Sequence, residues 1–339
     1  MKLPWKTKGI VLTAPLHEEV DNTVKLIEDF LAPGGCNLIC LQIRYRYQFK
    51  RHPECMGYDP LSEADIKKIL DACKKNGIKL VPKMNLHGHQ SGVPNTPTDG
   101  ILHGHNEKMP DIRDGLLRAY PEFDEQPNEK GAYYSRSLCL TNPLVKTVLF
   151  ELIDELLEVF EADAMHIGCD EVFNIGLCEE CKKYSNAKLF GDWVIAIHDH
   201  LASKGAKMLM WGDRFLNADE TGYGEYESSA NGTDKAISVV PKDIMMCDWH
   251  YESQTEFPSL KVYKDAGFRM LISPWRVKEH ADNFINYAIT HDEGQVEGIL
   301  LTTWCGSGDL ARCILYGERG QWKFTDQIAS TVKYIFNEQ

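Results

Sequence analysis

The chain has 339 residues, 43% hydrophobic and 10% aromatic, with 37 Lys and Arg against 50 Asp and Glu for a formal charge of −13. That composition excludes disorder, collagen and coiled coil. The acidic balance, without long basic runs, argues against a nucleic-acid partner or a membrane surface, because phosphates need clustered Lys and Arg, and no stretch approaches the ~20 apolar residues that span a bilayer.

Short apolar runs of buried-strand type recur along the whole chain. GIVLTA from Gly9 opens the series and a helical pattern over 18–31 follows it. LICLQI from Leu38 comes next, then a helix over 62–77 with Ser62 as N-cap and Gly77 as stop. KLVPKMNL from Lys79 precedes the segment 88–136, which is rich in Gly, Pro, Asn and Asp and shows little helical periodicity. A helix over 144–160, AMHIGC from Ala164, a helix over 185–205 stopped by Gly205, and KMLMW from Lys207 carry the pattern onward. IMMCDW from Ile244, RMLIS from Arg269 and GILLTTW from Gly298 complete eight apolar runs.

Eight strand–helix units in succession predict an α/β fold, a single (β/α)8 TIM barrel occupying residues 1–339 as one catalytic domain, with a long loop after the third strand. A doubly wound sheet is the competitor, but TAPLHE after the first strand offers no G-x-G-x-x-G for a dinucleotide. Long irregular loops in compact domains tend to be functional, so the 88–136 loop is expected to roof a cleft at the C-terminal face of the barrel.

Polar and aromatic residues gather at the C-terminal ends of the expected strands: Asn85, His87 and His89, then Asp170 and Glu171, then Trp211 and Asp213. Asp248, Trp249, His250 and Tyr251 follow the sixth strand, Trp275 and Arg276 the seventh, and Trp304 the eighth. One tryptophan means little, but several at equivalent rim positions read as a carbohydrate pocket, because indole faces stack on the C–H faces of sugars. Asp170 and Glu171 are adjacent carboxylates at the end of an apolar strand, where like charge and burial are expected to push at least one pKa upward. A carboxylic acid kept protonated suits glycosidic bond cleavage. The plainer reading of the pair is a cap for the next helix.

The segment MHIGCDEVFNIG (165–176) resembles the H-x-G-[G/C]-D-E signature of glycoside hydrolase family 20, the β-N-acetylhexosaminidases, and is similar to the HIGCDEV variant of the hexosaminidase D branch. KLVPKMNLHGHQ, LTNPLVKTVLFELIDELLEVF, MLMWGDRF and LTTWCG resemble other family segments in the same order, from about Leu38 to Gly306. The resemblance implies removal of terminal β-linked N-acetylhexosamine, GlcNAc or GalNAc, by exo-acting, retaining, substrate-assisted catalysis. It implies Glu171 as general acid and base, and Asp170 as the group that orients the 2-acetamido N–H. It implies His89 and His166 as residues holding the acidic pair, and Trp211, Trp249 and Trp304 as pocket walls. Tyr251 is the candidate for the acetamido oxygen, Trp275 and Asp213 are further substrate contacts, and Arg44 or Arg46 substitute for family arginines missing from the first strand. Since adjacent strand residues point to opposite faces, the backbone is expected to turn at the acidic pair.

Two other readings compete. The pairs His87/His89 and His103/His105 would suit a metal-dependent barrel hydrolase. A catalytically silent sugar-binding barrel would keep the aromatic ring without the acids. Cys178 and Cys181 have C-x-x-C spacing near Cys169, so a structural zinc is conceivable, but no second pair follows; packing or a loop thiol pair is the expectation, with no metal and no cofactor. A carbohydrate or glycoconjugate is the expected partner. Most of the eleven cysteines lie in apolar runs, and the start MKLPWKTKGIVL lacks the apolar core of a signal peptide. Both point to a reducing, cytoplasmic setting and leave open an exported, trimmed form.

Overall fold

The computed structural model describes residues 3–90, 115–126 and 136–337. Eight parallel strands close a barrel in chain order: β1 Thr7–Thr13, β2 Leu38–Gln42, β3 Lys79–Lys83, β4 Ala164–His166, β5 Lys207–Trp211, β6 Met245–Trp249, β7 Arg269–Ser273 and β8 Val296–Gly306. The (β/α)8 expectation is therefore met. Each run is apolar throughout because one face of the strand fills the barrel interior and the other packs under helices. Val11, Cys40, Val81, Leu209 and Leu300 form the inner layer. Ile10, Ile39, Leu80, Met165, Met208 and Ile299 belong to the layer beneath the helices.

The helices are α1 Val20–Leu26, α2 Glu63–Lys75, α3 Gly115–Ala119, α4 Pro143–Val159, α5 Asn186–Ser203, α6 Ala218–Thr221, α7 Ser259–Asp265, α8 Lys278–His291, α9 Ser307–Leu315 and α10 Thr325–Phe336. Ser62 caps α2 through a reciprocal box with Asp65, and Gly77 leaves that helix with φ of 67°. The helix expected over 18–31 is α1 continued by a π-helical turn, Ile27–Leu31. No described helix is long and apolar enough to cross a membrane.

Pairing is uneven around the barrel. β1 and β2 match over five positions, Gly9↔Leu38 through Thr13↔Gln42, whereas β3 and β4 meet at Lys83↔His166 alone. The insertion after β3 is also less structureless than its composition suggests, since it contains α3 and an antiparallel bridge between Asp124 and Leu138. Its two ends are tied by the Gln90 N–H, which donates to the Arg136 carbonyl at 2.9 Å. The roof expected over the barrel mouth falls on residues 91–114 and 127–135, outside the described residues.

Candidate active site

β4 ends after three residues, and the chain then turns sharply through Gly168 (φ 67°), Cys169 (φ 67°) and Glu171 (φ 48°), as the adjacent acidic pair requires. Two glycines allow the close approach that this turn needs. A Cβ on Gly168 would stand 2.3 Å from Asn85 Oδ1, and one on Gly88 would stand 2.8 Å from the Asp170 carbonyl oxygen. The loop after β3 and the loop after β4 thus interlock. Seven described non-glycine residues have positive φ, and five of them, Arg44, His89, Cys169, Glu171 and Trp304, lie at this C-terminal rim.

Side chains then fix the pair. His89 Nε2 sits 3.1 Å from Asp170 Oδ2 and 3.1 Å from Glu171 Oε2, so one imidazole joins both carboxylates. Asn85 Nδ2 donates to Asp170 Oδ1 at 3.2 Å, and the Glu171 backbone N–H donates to Asp213 Oδ2 at 2.9 Å. Burial alone would lower the His89 pKa, but the two carboxylates overcome it and raise it to about 10. Burial alone would raise the Asp170 carboxyl, yet the charge and hydrogen bond of His89, helped by Lys83, hold it well below the ordinary carboxylate range. The upward shift expected from two adjacent like charges is therefore reversed at Asp170. The physical reason is the cation placed against both acids.

Lys83 lies beneath this triad. It is fully buried on β3, where Nζ donates to Gln42 Oε1 at 2.6 Å and Asn85 Oδ1 at 2.9 Å. The ammonium stands 5.4 Å from the centre of the Trp211 ring and 5.3 Å from that of Trp304. Burial pulls its pKa down to about 8.

The aromatic residues form one continuous wall. Trp211 packs edge-on to Trp304 at 5.7 Å, and Trp304 Nε1 donates to the Tyr251 hydroxyl at 2.8 Å. Tyr251 in turn lies 4.8 Å from Trp249 and 5.1 Å from Trp275. Acid pair, imidazole and aromatic wall all come from the C-terminal ends of β3 to β8, where barrel chemistry is placed.

Residues 43–278, more than half of the sequence, match the catalytic domain of glycosyl hydrolase family 20. The chain belongs to glycosyl hydrolase family 20. Among curated relatives of this family 20 barrel, hexosaminidase D of Bos taurus is 24% identical over 196 residues, covering 55% of this chain and 49% of the relative. A lacto-N-biosidase of Bifidobacterium bifidum is 22% identical over 232 residues, covering 64% of this chain and 18% of the relative. The chain thus spans about half the length of the first and under a fifth of the second. The solved exo-β-N-acetylglucosaminidase of Vibrio harveyi in complex with N-acetylglucosamine superposes with a TM-score of 0.64 at 14% identity, covering 98% of this chain and 58% of that one. A β-N-acetylhexosaminidase from Bacteroides fragilis gives 0.62 at 15% identity, over 88% and 61% of the two chains. Both share the barrel fold.

Within the family 20 barrel, several side chains do other work than their sequence positions suggest. Asp213, expected as a substrate contact, is buried and accepts from the Glu171 N–H, from Trp249 Nε1 at 3.1 Å and from Arg214 Nε at 2.7 Å. It holds the acid loop to an aromatic wall. His166 does not touch the acids either; its Nδ1 accepts from the Gly168 N–H at 3.1 Å and its ring packs on Trp211 at 4.4 Å, bracing the turn instead. Trp211 is fully buried and packs edge-on against Trp304. Trp275 donates to the Thr303 carbonyl at 3.1 Å and carries Arg276 on its face at 3.8 Å.

Arg46 spends its guanidinium on the carbonyls of Ala14 at 2.6 Å and Pro15 at 2.7 Å, whereas Arg44 reaches the His89 carbonyl at 3.0 Å. Of the histidines offered to a metal, His87 is buried against Phe190 and Trp193 while His89 lies between the acids, and His103 and His105 fall outside the described residues. With the family shown, neither the metal-dependent hydrolase nor the silent barrel is favoured.

Two clusters are only partly legible in the sequence. His250 is buried between Glu227, 2.6 Å from Nδ1, and Asp248, 3.1 Å from Nε2, and Glu227 also accepts from the Tyr251 N–H at 3.3 Å. Burial would lower the His250 pKa, but Asp248 and Glu227 raise it to about 9. Glu227 sits in an irregular loop and carries no sequence signal. The other cluster joins Cys178 and Cys181 to Cys139 and Glu125, with all four ligand atoms within 4.8 Å of one another. The shortage of further ligands inferred from spacing does not hold in three dimensions. Cys169 takes no part, its thiol donating to the Ile167 carbonyl at 3.6 Å.

Proposed function

We propose that this chain is a retaining, exo-acting β-N-acetylhexosaminidase that borrows its nucleophile from the 2-acetamido group of the substrate. The observation that carries the reading is the pair Asp170 and Glu171 joined through His89 at the foot of the wall formed by Trp249, Tyr251 and Trp304. Glu171 protonates the departing glycosidic oxygen, then takes a proton from the water that opens the cyclised intermediate. Asp170, held as a carboxylate, accepts the acetamido N–H and faces the positive charge that develops as the amide oxygen attacks the anomeric carbon. No protein nucleophile is needed, so the family's departure from the two-carboxylate scheme applies. Tyr251 donates to the acetamido oxygen and steers it, a role its hydroxyl's tie to Trp304 supports. The eleven described cysteines are all free, which fits a reducing, cytoplasmic setting.

The test is hydrolysis of paired aryl N-acetylglucosaminides and N-acetylgalactosaminides beside the matching 2-hydroxy glycosides. Turnover confined to the acetamido sugars supports the reading. Equal cleavage of plain glucosides or galactosides would show that another nucleophile operates and that Asp170 has another role.

A further inference from the structure

The strongest unassigned feature lies about one loop away from the acids. Cys139 Sγ stands 3.6 Å from Cys178 Sγ and 3.8 Å from Cys181 Sγ, and Cys181 Sγ stands 3.3 Å from Glu125 Oε2. A disulfide needs sulfurs ~2 Å apart, so these are not bonded pairs. A tetrahedral zinc with Zn–S of ~2.3 Å and Zn–O of ~2.0 Å has S···S edges of ~3.8 Å and S···O edges of ~3.5 Å. The three separations lie within about 0.2 Å of those edges, and all four ligand atoms lie within 4.8 Å of one another.

We propose that Glu125, Cys139, Cys178 and Cys181 form a closed structural zinc site. Four protein ligands fill the tetrahedron and leave no open position, which marks a site that holds structure rather than one that activates water. Three thiolates select zinc over the harder divalent ions, and the carboxylate completes the set.

Burial pushes the Cys139 and Cys181 thiols up while they carry their protons, and polar groups of the surrounding loops contact the sulfurs. The Cys181 N–H donates to Cys178 Sγ at 3.3 Å, the amide-to-sulfur contact that C-x-x-C spacing allows. Thr141 Oγ1 stands 3.3 Å from both Cys139 Sγ and Cys181 Sγ. The N–H groups of Leu177 and Cys178 donate to Glu125 Oε1 at 2.6 and 3.0 Å, which aims Oε2 at the cysteines. Glu125 is 2% exposed and makes no ion pair with a described Lys, Arg or His. Among the described residues no cation meets this buried carboxylate turned toward three thiols, and a divalent ion at the centre of the cluster would supply one. On binding, each thiol gives its proton to solvent as its sulfur takes up the metal, with no change of oxidation state.

The ion would join three separate segments. Glu125 follows Phe123 in the insertion after β3, Cys139 follows the Asp124–Leu138 bridge, and Cys178 and Cys181 lie in the loop that runs from Glu171 to α5. That loop has no strand ladder to hold it. The zinc would anchor its far end, as Asp213 anchors its near end at the Glu171 N–H.

The inference is independent of the sugar chemistry, and its test reads metal directly. The full chain, purified without chelator from zinc-supplemented growth, should contain about one zinc per chain by mass spectrometry of the elements, as a closed four-ligand site requires. C178S and C181S should each lose that zinc and melt at lower temperature. If those variants fail to fold, the unaltered chain still decides: a thiol-blocking mercurial should release one equivalent of zinc to a colorimetric chelator. Cobalt exchanged into the site should show the thiolate-to-metal absorption of a tetrahedral site. A chain that stays zinc-free after reconstitution overturns the proposal. So does one that carries iron or copper instead, or one with Cys178 and Cys181 in a disulfide.

Discussion

The β1–β2 seam and the β3–β4 seam belong to the same barrel but are held in different ways. Along β1 and β2, five consecutive pairs fix the register, and Ile10 and Ile39 pack under the helices with no exposure. Between β3 and β4 one pair remains, and beyond it two backbone bonds, Met84 N–H to the His166 carbonyl and Leu86 N–H to the Ile167 carbonyl, act with Asn85, His89, Asp213 and two tight glycines to position the chain. Backbone ladders give rigidity without choice of side-chain direction, since successive residues must point to opposite faces. Two adjacent acids can reach one substrate only where the ladder stops. The β3–β4 seam gives up pairing to obtain that, and polar bonds replace what is lost.

Each half of this contrast can be broken separately. The largest effect is expected for Glu171→Gln, which should cut turnover on N-acetylhexosaminides by ~10²–10⁴ while the melting temperature stays within a few degrees, the usual weight of general acid catalysis. The loss should be smaller for aryl leaving groups, which need less protonation, and equal losses for aryl and sugar leaving groups would remove Glu171 from that role. Next comes Gly88→Ala. A methyl group 2.8 Å from the Asp170 carbonyl must push the two loops apart, and a misplacement of ~1 Å is expected to lower kcat by roughly 10²-fold with far less loss of stability. Unchanged kcat would mean that the interlock is dispensable.

The His250 cluster gives the third. Because its folded pKa is raised to about 9, its contribution is fully present below the unfolded value of ~6.5 and is lost as pH rises through 9. Thermal melts of the unaltered chain should therefore fall between pH 7 and 10, and His250→Gln should be less stable at pH 7 but flatter over that range. Parallel curves for the two proteins would place the titration elsewhere. The smallest effect belongs to the regular seam, where Ile39→Val should cost ~0.5–1.5 kcal/mol of stability in denaturant melts and leave kcat within about twofold. A larger kcat change would mean that the two seams are coupled.

The barrel was legible in the sequence because strands buried on both faces read as unbroken apolar runs, and the acids and tryptophans because they stand at the ends of those runs. What was not legible depends on residues far apart in the chain. Asp170 is adjacent to Glu171 in sequence, which suggests repulsion, but its nearest charged partner in space includes His89, and the sign of the shift follows the imidazole. Lys83 offered a faint signal, a lysine inside the apolar run KLVPKMNL, yet its partners Gln42 and Asn85 come from two different strand ends. Cys178 and Cys181 announce themselves by spacing, whereas Cys139 and Glu125 join them through one antiparallel bridge in the insertion. Asp213 looks like a free rim carboxylate until its three donors are placed around it.

The five left-handed residues at the rim, Arg44, His89, Cys169, Glu171 and Trp304, bear on how this protein would be engineered. A side chain held in that region costs on the order of 1–3 kcal/mol, so a screen for heat resistance would be drawn to these positions and would tend to return glycine there. Such gains would relax the turns that aim His89 and Glu171, and robust but sluggish variants would accumulate. A directed-evolution library for durability is better placed at the opposite end of the barrel, among the helix caps and the N-terminal strand ends, where hardening the scaffold does not soften the aim of the acids.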